Sequence, residues 1–186
     1  MIRLFIAMPL PPSVQEYLDR LIADLHDQGA DVKWVAAKNI HLTIRFLGDT
    51  DEQLVPKLAS VLNAVGSRFS SVDTIIDKFG GFPHMQLPNI FWVGLKGQTE
   101  LLAQFATATE LAIRPYGFAP ENRPFRAHLT LGRVKKTRGL SALLAYVPML
   151  KIEPVPIHFD RIVLYQSTLT PKGAVYSPLH ETKLKD

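Results

Sequence analysis

Asn39-Ile40-His41-Leu42-Thr43-Ile44-Arg45-Phe46-Leu47-Gly48 has an echo far down the chain, Arg126-Ala127-His128-Leu129-Thr130-Leu131-Gly132-Arg133. Both contain His-Leu-Thr followed by an aliphatic residue, and in both a glycine and an arginine lie close by. The apolar, β-rich character of each stretch predicts a strand. Strand side chains alternate between faces, so His41 and Thr43 point one way while Leu42 and Ile44 point the other. His128 and Thr130 stand in the same relation to Leu129 and Leu131. The aliphatic members belong in a core, which leaves each imidazole–hydroxyl pair on an open face. A lone His-x-Thr on a strand signifies little more than a half-exposed strand. Its repetition with the same core-facing partners points to one pocket holding two histidines and two threonines.

Such a pocket suits displacement at phosphorus. Histidine titrates near neutral pH, so one imidazole can be neutral and take a proton from water while the other, protonated, gives one to a leaving oxygen. Threonine hydroxyls can donate to non-bridging oxygens as charge builds. Arginine adds charge-assisted contacts to phosphate. Arg133 lies just past the second motif, and Arg45, in phase with His41 and Thr43, is expected to face the cleft. Two histidines without a third or fourth ligand make a poor zinc site, and no His-x-x-x-His or Glu-x-x-His companion accompanies them, so no metal is expected. The other histidines, His26, His84, His158 and His180, have no matching pattern and receive no role. Trp34 and Phe82, beside polar or turn residues, are candidates for stacking on a base; Trp92 is expected in the core. Arg133-Val134-Lys135-Lys136-Thr137-Arg138 is the one basic cluster and reads first as a solvated loop, second as a nucleic-acid track.

Outward from the motifs, the chain alternates helical and extended patterns. Residues 3–8 form an apolar run closed by Pro9, Pro11 and Pro12, the signature of a central strand. Ser13 is placed to cap a helix carrying Val14, Leu18, Leu21, Ile22 and Leu25. A second helix carries Leu54, Leu58, Val61, Leu62 and Val65, with Gly66 as its stop. Strands over 72–79 and 90–95 flank a Gly80-Gly81-Phe82-Pro83 turn, and a third helix runs through Leu101, Phe105 and Leu111. Strand 125–134, a short helix over 140–144, alternation over 155–165 and an extended tail near 174–179 complete the pattern. Hairpin-like pairs in the middle favour antiparallel pairing, hence an α+β class. No Gly, Ser or Pro linker divides residues 1–186, which are expected to form one domain with two lobes.

Composition narrows the functions. With 186 residues and 47% hydrophobic content the chain can build a full core. Its net charge of +4 mildly favours anionic partners. There are no cysteines, which removes disulfides, thiol nucleophiles, iron–sulfur clusters and thiolate zinc sites. No run approaches the roughly eighteen apolar residues of a membrane span, and the N-terminus lacks a secretory pattern. A cytoplasmic protein without membrane partners is expected.

The chain resembles the two-histidine phosphoesterase superfamily, and within it the bacterial and archaeal RNA 2′,3′-cyclic phosphodiesterases of the LigT type, formerly called 2′-5′ RNA ligases. The resemblance runs through Arg3-Leu4-Phe5-Ile6-Ala7, Trp34-Val35, both His-Leu-Thr stretches, Gly81-Phe82-Pro83, Phe91-Trp92-Val93-Gly94-Leu95, and Gly173, Tyr176 and Leu179. Ala127, where many relatives have Pro, and Pro9, where an acidic residue is common, depart from it. The resemblance implies a bilobal fold, with two antiparallel sheets facing a central cleft and helices outside. It implies hydrolysis of a terminal 2′,3′-cyclic phosphate on RNA to a 2′-phosphomonoester, without metal or cofactor. It makes His41 the proton donor to the 3′ oxygen and His128 the acceptor that activates water, with Thr43, Thr130 and Arg133 on the phosphate. The near-symmetry of the motifs does not itself say which histidine does which. Expected partners are RNA ends with a cyclic phosphate, tRNA fragments among them, or small cyclic nucleotides. Joining RNA ends through a 2′-5′ bond belongs to the same chemistry. A monomer is the default expectation. The competing reading is a non-catalytic protein that clamps RNA-end or nucleotide phosphate in the same pocket; paired histidines favour the enzyme, since Arg and Lys bind phosphate without titrating near neutrality.

Overall fold

The computed structural model describes residues 1–171 and 173–186. Its strands are β1 (Ile2–Pro9), β2 (Val32–Trp34), β3 (His41–Thr50), β4 (Val72–Phe82), β5 (Ile90–Gly97), β6 (His128–Val134), β7 (Pro156–Phe159), β8 (Arg161–Thr170) and β9 (Gly173–Lys183). The α-helices are α1 (Pro12–His26), α2 (Val55–Gly66), α3 (Thr99–Ile113) and α4 (Leu140–Tyr146). All strand pairs are antiparallel, in the order β7-β4-β5-β6-β3-β1-β8-β9, with β2 added beside β6.

That order reads the same from both ends of its centre. Each motif strand is flanked by a strand that feeds a helix of 15 residues: β1 leads into α1 and lies beside β3, while β5 leads into α3 and lies beside β6. The two halves meet where β3 and β6 touch, through the single register pair Leu42↔Leu129. The two expected sheets are thus one continuous curled α+β sheet, pinched at its middle.

The alternation of each strand sorts its side chains. Leu4, Ile6, Met8, Leu42, Ile44, Leu129 and Leu131 join one buried cluster with Leu18 and Leu25 of α1, Leu58 and Leu62 of α2, and Leu102 and Phe105 of α3. Helices therefore cover one face, and His41, Thr43, His128 and Thr130, each only partly buried, emerge on the other. No helix among the described residues is long and apolar enough to cross a membrane.

Several expectations shift by a few residues. α1 begins at Pro12 with Pro11 as its N-cap, so Ser13 makes no cap bond; a proline's fixed φ suits the first helical turn. The second motif strand starts at His128 and not at Phe125, and the alternating stretch 155–165 divides into β7 and the start of β8. Two glycines make room for indole rings. A Cβ at Gly132 would lie 2.7 Å from the Trp34 ring, and one at Gly80 would lie 2.3 Å from that of Trp92. Each tryptophan lies across its cross-strand glycine partner.

Candidate active site

An antiparallel pair centred on Leu42 and Leu129 sets His41 beside Thr130 and Thr43 beside His128 on the face away from the helices. The two tetrapeptides, remote in sequence, converge around a local twofold axis. Each imidazole is held alike: His41 Nδ1 lies 2.8 Å from the Asn39 carbonyl oxygen, and His128 Nδ1 lies 2.7 Å from that of Arg126. A carbonyl only accepts, so both Nδ1 atoms carry the proton and both Nε2 atoms are left for chemistry. Each bond reaches back two residues along the chain, so the strand entry itself orients the ring.

The surroundings of the two rings differ. His41 stacks on Phe5 at 4.7 Å, with Tyr165 beyond at 6.4 Å and Tyr176 edge-on at 5.3 Å. Burial among these rings pushes its pKa down from 6.5 to about 4, against the opposing effect of the Asn39 bond. His128 meets Phe82 edge-on at 5.1 Å and Trp92 at 6.3 Å. Burial lowers its pKa too, and the Arg126 charge adds to that, while the bond to the Arg126 carbonyl opposes it. The Arg126 guanidinium carbon lies 5.7 Å from the centre of the Phe82 ring. Trp92 therefore lies outside the core cluster: Phe91 and Val93 point inward, and Trp92 is partly buried on the other face beside His128. Trp34, expected as a stacking platform, packs on Phe91 at 6.0 Å and over Gly132, so its ring is occupied by the fold. Phe82 does reach the site.

Beyond the threonines, both motif strands carry a bulge in the same place. Ala7 pairs with Thr43 but Ile6 pairs with Arg45, leaving Ile44 unpaired; Trp92 pairs with Thr130 but Phe91 pairs with Gly132, leaving Leu131 unpaired. A bulge advances the alternation by one residue. Arg133 is thereby placed on the same face as Thr130, exposed, and close enough to Tyr176 across the cleft for its charge to oppose the upward push of burial on that phenol. The corresponding residue after the first motif is Phe46, which is 57% exposed and 6.2 Å from Phe5. Arg45 is turned away. It bonds Glu110 of α3 at 2.6 Å and the Ala119 carbonyl, and lies 3.8 Å from Glu121. The expectation that Arg45 faces the cleft fails because period-two counting does not see a bulge.

The remaining histidines stand outside this face. His26 ends α1 near Asp27, His84 accepts the Leu87 N–H in a turn, His158 pairs with Asp73 at 2.7 Å, and His180 bonds Asn63 at 2.8 Å. Among the described residues no three His, Asp or Glu side chains gather to hold a metal ion. Sequence reasoning missed Phe5, Tyr165 and Tyr176. Phe5 is out of phase with Leu4, Ile6 and Met8, a signal masked because both faces of β1 are apolar. Basic residues 135–138 form an exposed loop end whose backbone pairs with Asp31.

The family model described as "LigT like Phosphoesterase" matches the chain twice, over residues 8–92 and 93–176, one match per half of the sequence, with one histidine strand in each. A Thermotoga maritima protein named RNA 2′,3′-cyclic phosphodiesterase is 31% identical over 183 residues, covering 98% of this chain and 96% of the relative. One of the same name from Aeropyrum pernix is 32% identical over 167 residues, covering 89% and 94%. Among solved structures, a protein from Thermus thermophilus superposes with a TM-score of 0.80 at 21% identity, covering 98% of both chains. E. coli LigT in complex with 3′-AMP superposes with a TM-score of 0.79 at 24% identity, covering 100% of this chain and 99% of that one; likeness at this identity speaks for the fold. With its two halves each matched by the same model, and that match divided between the two histidine strands, the chain belongs to the LigT-like phosphoesterase family.

Proposed function

We propose that the protein hydrolyses the terminal 2′,3′-cyclic phosphate of RNA to a 2′-phosphomonoester, by acid–base catalysis between His41 and His128. The observation that carries this reading is the matched pair of Nδ1–carbonyl bonds, which leaves two Nε2 atoms free on one face. Water loses a proton to His128 as its oxygen bonds to phosphorus; the bond from phosphorus to the 3′ oxygen breaks, and His41 gives that oxygen its proton. The order of these roles follows the family resemblance. Thr43 and Thr130 hydroxyls donate to the non-bridging oxygens, and Arg133 supplies positive charge. Free His41, with a pKa of about 4, is neutral near pH 7, so the bound phosphate anion must raise it for the acid role. The names of the relatives, RNA 2′,3′-cyclic phosphodiesterases, supply the substrate class. tRNA fragments and small cyclic nucleotides are the proposed substrates, the cytoplasm the proposed compartment, and a monomer the proposed form, since both motifs come from one chain. A 5′-hydroxyl in place of water turns the same chemistry to 2′-5′ joining.

The test is an RNA oligonucleotide ending in a 2′,3′-cyclic phosphate, incubated with the protein and EDTA. The expected product is the 2′-phosphate, with His41→Ala and His128→Ala each slower by about 10²–10⁴-fold. An untouched substrate leaves the phosphate-clamp reading in its place, and a 3′-phosphate product overturns the assigned geometry.

A further inference from the structure

The local twofold symmetry of the histidine face is broken by a cavity of about 270 Å³ that opens beside His41. Its lining includes Pro9, Lys38, His41, Tyr165, Tyr176 and Pro178. The flank of His128 is instead taken up by Phe82 and Trp92, with the indole lying over Gly80. In-line displacement puts the departing 3′ oxygen, and with it the ribose that carries it, on the far side of phosphorus from the attacking water. The nucleoside must therefore lie against the proton donor, and His41 is the histidine with room beside it. The His41 and Tyr165 rings are stacked, and two prolines add flat apolar walls, a surface suited to the face of a nucleobase. Lys38, exposed on the 3₁₀ turn Ala37–Asn39, brings a cation to the cavity, and no carboxylate stands among its described lining residues. A nucleoside at an RNA 3′ end carries one more anion, its 5′ phosphate.

We infer that the cavity beside His41 seats the terminal nucleoside of the substrate, with Lys38 receiving its 5′ phosphate. This rests on the proposed hydrolysis and adds a substrate class to it: 5′-phosphorylated ends are preferred over nucleoside 2′,3′-cyclic monophosphates that lack that group. The test is calorimetric titration of wild type and Lys38→Ala with the product analogues adenosine 2′-phosphate and adenosine 2′,5′-bisphosphate, followed by NMR of the aromatic side chains. Wild type binds the bisphosphate about tenfold more tightly, and Lys38→Ala loses that advantage while Lys38→Arg retains most of it. Ring signals of Tyr165 and Tyr176 shift on binding. Equal affinity of wild type for the two ligands overturns the assignment to Lys38, and shifts confined to Phe82 and Trp92 overturn the cavity. Bisphosphate binding with these features but no cleavage of any cyclic phosphate refutes the hydrolysis and leaves the nucleoside site standing.

Discussion

Replacing His41 by glutamine changes how stability responds to acid. In the unfolded chain this imidazole takes up its proton near 6.5; in the folded protein, burial against Phe5 and the tyrosines delays that to about 4. Between those values the unfolded state binds more protons, so stability from this group is complete above pH 6.5 and drains away as pH falls toward 4. The full difference corresponds to about 3 kcal/mol, and the ring's opening to the cleft reduces this to roughly 2–3 kcal/mol. For a protein of this size that is roughly 5–10 °C in Tm. His41→Gln has no such titration, and its amide can still donate to the Asn39 carbonyl. Urea and thermal unfolding of both proteins at pH 7.5 and pH 4.0, in phosphate-free buffer, isolate the effect, since every other titrating group cancels in the double difference. Wild type is expected to lose roughly 2–3 kcal/mol more than the variant on acidification. A double difference within about 0.5 kcal/mol of zero would mean that His41 is as well solvated as a free imidazole, and the aromatic burial described above would be wrong.

The pH dependence of kcat/KM should be bell-shaped and centred on the acid side of neutrality, because both free histidines titrate below 6.5; kcat, which reads the complex, should peak at higher pH as the phosphate raises both. A rate flat from pH 5 to 9 contradicts two titrating partners. Leu42→Ala, at the one register pair joining the halves, should cost about 2–5 kcal/mol in urea unfolding while Leu42→Met costs under about 1.5. Arg45→Met should destabilise by about 1–3 kcal/mol, because it takes the close cation from the largely buried Glu110 and leaves only Arg114, at 3.6 Å, and Arg45→Met with Glu110→Leu should recover most of the loss. A double variant no more stable than the single one removes the ion pair as the cause.

The motifs were legible because they obey the simplest rule of a strand. Leu42 and Leu129 point inward, His41 and His128 outward, as alternation requires, and duplication raised the pattern above the background of ordinary half-exposed strands. What alternation could not reveal lies where it breaks. The unpaired Ile44 and Leu131 sit beyond the fixed residues of each motif, in stretches with no local sign of a bulge, and they exchange Arg45 for Phe46 on the cleft face. Trp92 was misplaced because an apolar run such as Ile90-Phe91-Trp92-Val93 looks buried on both sides; only the glycine across from it, Gly80, shows that its ring lies on the open face. Tyr165 and Tyr176 come from a hairpin more than a hundred residues from His41, and no local pattern connects them to it.

A duplicated frame presents a chemical difficulty of its own. Two equivalent imidazoles around a twofold axis would share any proton equally, whereas displacement at phosphorus needs one to give and one to take. Here the frame is symmetric in backbone, down to the back-bonded Nδ1 and the matched bulges, and unequal in what the frame holds. The position that carries Arg133 in one half carries Phe46 in the other. His41 is enclosed by neutral rings, which hold it uncharged until an anion arrives; His128 lies near the Arg126 cation, which resists its protonation even when phosphate is bound. For the proposed roles to hold, a bound phosphate must raise His41, the more deeply buried ring, while the Arg126 charge opposes the protonation of His128. Arg126→Gln, which removes the opposing charge but keeps the carbonyl, should shift the acid limb of the kcat profile, which reads the complex, to higher pH without abolishing activity; an unchanged limb would place the asymmetry elsewhere.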